Sequence, residues 1–286
     1  MSSTESAERA AEYSNPDGIV PDQKSWLTVL KCWRGFILTG HHIDQVYVAY
    51  LAMEAAQYAR SYYQVRSHPT GRILLRDKPD LLAVLRDDEY LASLPPGTVG
   101  HAYRTFLRSN RLDAGVFQEN KVIRPLAEKY NWSEDFYYLM VRTTALHDIH
   151  HVLGGYGPDM AGEVATIGLH CGQMEPAGPL KKLGYLMAIT IPGASMRHKV
   201  RVYREALERG SRADLIVAAP WEELLDKPLD EVRAQLGIAP AAEAHPNGWW
   251  FTKWTPIGMP KPTRWDYDEI LAEARAGSVS SAAVSA

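Results

Sequence analysis

Apolar positions in this chain recur at helical rather than strand spacing. Between Gln23 and His68 they fall at Trp26, Val29, Leu30 and Trp33, then at Ile43, Tyr47, Leu51, Ala55, Tyr58 and Tyr62. Steps of three or four residues place side chains on one helical face, and a break near Gly40 divides the stretch into a helix pair that Pro69 ends. Asp77-Lys78-Pro79-Asp80 offers an acidic cap and an early proline for another helix. Leu94-Pro95-Pro96-Gly97-Thr98 separates that helix from one beginning near Val99. Ser133-Glu134-Asp135 starts a strongly apolar helix, Phe136 to Leu153, which Gly154-Gly155-Tyr156-Gly157-Pro158 stops. Pro158-Asp159 opens the next, running to about Gln173, and Pro or Gly brackets further helices at Pro179 to Thr190, Ser195 to Glu208, Pro220 to Leu225 and Pro228 to Leu236.

Alternating patterns are nearly absent and no internal repeat is visible, so the fold class expected is all-α, one multi-helix domain over residues 23–240. Residues 1–22 read as a disordered leader. Ala241 to Trp265 is rich in Pro, Gly and Trp without periodicity, which predicts an extended arm. A short helix, Asp266 to Ala274, and a disordered Ser/Ala-rich tail, Gly277 to Ala286, complete the segment 241–286.

Composition removes alternatives. With 46% hydrophobic and 23% charged residues the chain is neither disordered nor fibrous. Its net charge of −3 gives no electrostatic reason for a nucleic-acid partner. Cys32 and Cys171 sit in apolar helical runs, as free thiols in a reducing compartment do. No apolar run reaches membrane-spanning length, and Met1 to Ser14 lacks an apolar signal core while carrying Glu5, Glu8 and Glu12, so a cytoplasmic protein is expected.

The candidate chemistry lies at the glycine-rich turn. At roughly 100° per residue, positions 147 and 151 lie roughly 40° apart around a helix, so His147 and His151 share a face with Asp148 beside them. The turn reverses the chain and brings Glu163, early in the returning helix, into reach as a fourth ligand. Two imidazoles and two carboxylates suit Zn²⁺ foremost, or Fe²⁺ or Mn²⁺, and the lack of thiolates argues against a closed structural zinc site. The plainer reading is a buried His-Asp pair without metal, but burying Asp148 and Glu163 with nothing to coordinate is costly. An H-E-x-x-H protease fails because Asp148 stands where its glutamate belongs, and no second Glu-x-x-His pair supports a di-iron bundle. A His-Asp phosphohydrolase remains open, with His101 and Asp214 supplying the extra ligands.

His147-Asp148-Ile149-His150-His151, followed after eleven residues by Glu163, resembles the HDxxH-x11-E signature of the ubiquinone (coenzyme Q) biosynthesis family usually called Coq-four. Gly154-Gly155-Tyr156-Gly157-Pro158-Asp159 and Gly162 resemble its bacterial members. So do Leu94 to Gly100, Trp221 to Leu225 and Lys227 to Arg233, so the likeness covers about Pro69 to Pro240. The resemblance implies an all-helical fold, a divalent metal held by His147, Asp148, His151 and Glu163, and an adjacent apolar lipid-binding cavity. It also implies peripheral attachment to the inner membrane and work on a prenylated hydroxybenzoate ring, removing its carboxyl with hydroxylation at the same carbon. The leader before Gln23 and the arm Ala241 to Trp265 are departures from the family and leave another aromatic substrate open.

A metal beside a phenolic acid can serve as a Lewis acid while carbon dioxide leaves, and installing oxygen would favour a redox metal such as iron. His150, Tyr156 and His170 are the candidate proton donors; His150 is also read as a surface residue or a partner orienting the ligands. Arg197, Arg201 and Arg204 form a stripe, with Lys199 aside, suited to a lipid headgroup or substrate carboxylate, against the plainer reading of a solvated face paired with Glu205 and Glu208. Trp249, Trp250, Phe251 and Trp254 in the arm suit a membrane contact, a gate or ordinary packing. Two classes of function follow. One is an enzyme acting on a prenylated aromatic or quinone-like lipid; the other is a non-catalytic organiser of other quinone-biosynthesis proteins, and in either case a homodimer is expected.

Overall fold

The computed structural model describes residues 57–114, 119–174, 178–192 and 194–241, with Leu30, Lys31 and Arg34 as isolated helical positions. The leader, most of the predicted pair before residue 57, Cys32, and the arm with Trp249, Trp250, Phe251 and Trp254 lie outside the described residues. Residues 57–67 are helical. After them come α1 (Pro69–Asp77), α2 (Leu81–Arg86), α3 (Asp88–Ser93), α4 (Val99–Asn110), α5 (Glu119–Tyr130) and α6 (Glu134–Ala145). Then follow α7 (His147–Gly154), α8 (Met160–Gln173), α9 (Pro179–Thr190), α10 (Met196–Arg212), a 3-10 turn (Ile216–Ala218), α11 (Trp221–Leu224) and α12 (Leu229–Leu236). Among the described residues there is no strand, and extended pairing is confined to a bridge between Thr98 and Pro228.

Side-chain caps fix many of these boundaries. Asp80 accepts from the Ala83 amide at 3.0 Å, Asp87 from Tyr90 at 2.9 Å and Ser133 from Phe136 at 3.2 Å. Each bond relieves an amide that the first helical turn leaves unpaired. Three expectations need correction. The single helix expected between Asp77 and Leu94 is two, α2 and α3, because Asp87 ends the first and caps the second, and Pro79 lies before the Asp80 cap rather than in the first turn. Pro69 ends the preceding helix but also opens α1, because its missing N–H is no loss in a first turn. The single helix expected from Phe136 to Leu153 is two, α6 and α7, divided at the turn residue Leu146.

Three apolar clusters hold the helices together. One joins α4, α7 and α12 through Val99, Phe106, Ile149, Leu153, Val232 and Leu236. A second packs Tyr58 and Tyr62 on Ile123, Trp132, Phe136 and Met140. The third packs α8, α9 and α10 through Val164, Cys171, Leu180, Val202 and Leu207. The α8–α10 contact is close because both helices carry small residues where they cross. A Cβ on Gly172 would overlap the Leu207 carbonyl and the Ser211 amide of α10, and one on Gly210 would overlap the Leu169 carbonyl of α8.

Two buried arginines hold the frame around α7. Arg142 of α6 makes a bidentate pair with Glu222 at 2.6 and 3.0 Å and donates to the Val217 and Ala219 carbonyls, tying α6 to the 3-10 turn and α11. Arg233 of α12 donates to the carbonyls of Val152 and Leu153 at 2.8 and 3.0 Å, tying the last turn of α7 to α12.

Candidate metal centre

Gly155 takes the left-handed conformation at φ 67° and ends α7. Asp159 then caps α8 with a bond to the Ala161 amide. A Cβ on Gly162 would collide with the Gly157 carbonyl, so a glycine there lets the turn lie directly against α8. This close approach sets the Glu163 carboxylate opposite the histidines of α7.

His147 Nε2 lies 3.3 Å from Glu163 Oε2, and His151 Nε2 lies 3.6 Å from Glu163 Oε1. One ligand atom from each of the three residues falls within 4.8 Å of the others, as donors around a single ion do. His151 is fixed on every side: its side chain is 1% exposed, its Nδ1 meets the Gly157 carbonyl at 3.1 Å, and Phe106 of α4 stacks on it at 5.2 Å between centroids. His147 is open, with its side chain 46% exposed. Asp148, expected as a fourth ligand, is not in the converging group; its Oδ1 lies 3.1 Å from His147 Nδ1.

The electrostatics match a cation site. Burial favours neutral His147, but the charges and hydrogen bonds of Glu163 and Asp148 outweigh it and raise its pKa to about 10. Burial also opposes the charged form of Glu163, and the two histidines reverse this, holding the carboxyl well below its ordinary range. Burial first, and then the charge of Asp148, raises Tyr103 of α4, the helix whose Phe106 stacks on His151.

The expected proton donors lie elsewhere. His150 is buried, not on the surface, and its ring faces His170 at 6.1 Å rather than either ligand. Burial pushes His150 well below its ordinary value and His170 to about 4, so both are neutral near pH 7. They line a pocket of about 20 Å³ with Tyr58, Thr143, Leu146 and Met174. That volume holds a water molecule and is too small for a prenyl chain. Tyr156 is fully buried in the core, and its hydroxyl accepts from Arg209 at 2.6 Å. Arg197, Arg201 and Arg204 are exposed; Arg201 pairs with Glu205 and Arg204 with Glu208, the solvated-face reading. Lys199 is buried and caps α9 through the Ile191 carbonyl. Neither His101 nor Asp214 joins the converging group, so the geometry lends the phosphohydrolase reading no support.

Sequence reasoning missed Phe106, Tyr103, Arg233 and the Gly157 carbonyl. The glycine-rich turn was a signal for the last of these. Phe106 and Arg233 reach α7 from distant parts of the chain, and Tyr103 lies on the same helix as Phe106, none of which local spacing reveals.

A family model described as coenzyme Q (ubiquinone) biosynthesis protein Coq4 matches residues 23–242. A Pyrenophora tritici-repentis protein named ubiquinone biosynthesis protein coq4, mitochondrial, is 34% identical over 173 residues, 60% of this chain and 56% of that protein. Its namesake from Podospora anserina is 33% identical over 181 residues, 62% of this chain and 56% of that one. The chain thus spans about half the length of the curated relatives it matches. The crystal structure of a candidate ubiquinone biosynthesis protein from Nostoc punctiforme superposes with a TM-score of 0.53 at 20% identity, covering 79% of this chain and 98% of that one, and so shares the fold. With the matched region, residues 23–242, holding all of the described helices and the candidate metal centre, the chain belongs to the Coq4 family of ubiquinone biosynthesis proteins.

Proposed function

We propose that the chain is a metal-dependent enzyme of ubiquinone biosynthesis that acts on a prenylated hydroxybenzoate-like ring. The observation that carries this reading is the convergence of His147, His151 and Glu163 inside the family region. Three protein donors with one of them half open to solvent are the arrangement of a site with free coordination positions rather than a closed structural one. Two imidazoles and a carboxylate suit Zn²⁺ foremost, or Fe²⁺ or Mn²⁺. Such an ion would polarise an oxygen of the bound ring.

The reaction removes the ring carboxyl. The bond from the ring to the carboxyl carbon breaks, carbon dioxide leaves, and in the simple case a proton takes its place. In the oxidative case a hydroxyl from water takes the position, and the two electrons released pass to dioxygen, giving hydrogen peroxide. Around the ion, the chain's own groups hold His151 rigid through Phe106 and Gly157, keep Glu163 ionised, and leave His147 exposed toward an incoming ligand. A quinone-like lipid, other quinone-biosynthesis proteins and the surface of the inner membrane are the partners this reading entails.

Expression in a host lacking its own family member tests it. The native chain should restore quinone, and Glu163→Gln should yield folded protein with at least tenfold less product and accumulation of the carboxylated precursor, because the amide keeps the shape but loses the charge that balances the metal. Native product levels from that variant would exclude catalysis at this centre and leave the organiser reading.

A further inference from the structure

We propose that the outer side of α9, together with the first turn of α10, is the face by which the chain lies on an anionic lipid bilayer. The inference rests on the membrane surface named as a partner in the proposed function, but none of its observations involves the metal centre.

A helix on the outside of a packed core carries one apolar side, and α9 carries two. At 3.6 residues per turn Leu180, Gly184 and Ala188 fall on one side, and all three are buried against α8 and α10. A Cβ on Gly184 would overlap Tyr203 of α10, so that side is closed. Lys182, Leu186 and Ile189 fall on the opposite side. Lys182 is exposed, Leu186 is 54% exposed and Ile189 is half-buried. The apolar patch continues past the end of the helix. Lys199, in the first turn of α10, donates to the Ile191 carbonyl and so holds that turn against the end of α9. The same turn begins with Met196, 63% exposed, and Arg197, also exposed.

Charge decides what such a face meets. From Pro176 to Arg204 the sequence carries Lys181, Lys182, Arg197, Lys199, Arg201 and Arg204 and no Asp or Glu, in a chain whose net charge is −3. Lys199 is spent on the end of α9, and Arg201 and Arg204 face Glu205 and Glu208, which leaves Lys182 and Arg197 at the rim of the patch. Apolar side chains rimmed by cations suit a bilayer interface, where the chains enter the headgroup boundary and the cations stay with the phosphates. A second copy is the poorer occupant, because a two-fold contact would set these cations against their own duplicates. The helix is also too short to cross: its 12 residues reach about 18 Å, against a hydrocarbon core of about 30 Å. It therefore lies in the plane of the surface.

Cosedimentation of the full chain with vesicles tests the face. The native protein should bind vesicles of equal parts phosphatidylcholine and phosphatidylglycerol at low salt, about tenfold more tightly than pure phosphatidylcholine. Leu186→Glu should weaken that binding about tenfold, and Lys182→Gln and Arg197→Gln about fivefold each. Ile73→Glu, at a residue 51% exposed on α1, should bind as the native chain does. All four positions are exposed, so circular dichroism should show native helix content in every variant. Glu163→Gln should also bind vesicles normally, which separates this inference from the catalytic reading. A native chain that does not bind, or binds both vesicles equally, would overturn the proposal. Native binding by Leu186→Glu, or an equal loss in Ile73→Glu, would do the same. If Leu186→Glu splits a native dimer on size exclusion and leaves vesicle binding unchanged, the face belongs to a second copy and the proposal is wrong.

Discussion

At the scale of single residues, the centre is a cluster of opposed preferences that an ion would resolve. Glu163 stays ionised because two histidines face it, and His147 is raised to about 10 because two carboxylates face it. In the metal-free protein His147 therefore carries a proton at pH 7 that must leave before Nε2 can coordinate. Lowering the pH adds a competing proton, and raising it toward 10 removes one. Zinc affinity measured by chelator competition should rise about tenfold per pH unit between roughly pH 6 and 8, with about one proton released per ion bound. An affinity independent of pH over that interval would contradict the raised value for His147.

At the scale of helices, small residues and buried arginines set where the ligands stand. Gly162 allows the Gly157 carbonyl to sit against α8, and that carbonyl also holds His151. Gly162→Ala should therefore displace the turn and weaken zinc binding at least tenfold while also lowering stability by about 1–3 kcal/mol, the range for overpacking a close contact. Circular dichroism melting and zinc titration of the same sample would check both; an unchanged affinity would separate the turn from the site. Much of this level was legible beforehand. The termini of α8, α9 and α12 carry local signals, Asp159, Pro179 and Gly237, and the sequence reading placed those boundaries within a few residues. The break at Leu146 was not legible, because an apolar run continues across it and the helical period barely changes. The pairing of His147, His151 and Glu163 followed from spacing and a turn, whereas the position of Asp148 Oδ1 against His147 Nδ1 depends on a rotamer that spacing does not determine. The burial of His150 escaped notice for a related reason: α7 is covered by α4 and α8 on more than one side, so a polar residue flanking the ligands need not face solvent.

At the scale of the whole molecule, family membership and metal geometry support each other without being the same observation. The family match spans residues 23–242, and the converging donors lie within it. No helix among the described residues is long and apolar enough to cross a membrane, and the fungal relatives are named as mitochondrial proteins. The fold, shared with the Nostoc punctiforme protein, is a helical frame in which α7 and α8 meet at a glycine-rich turn, so a metal at that turn would brace two helices as well as offer open positions to a ring. Elemental analysis of the purified chain tests this most directly. The account predicts about one divalent ion per chain in the native protein and loss of most of it in both His147→Ala and His151→Ala, since removing either imidazole leaves too few donors. Full metal content in both variants, or none in the native protein after reconstitution, would contradict it.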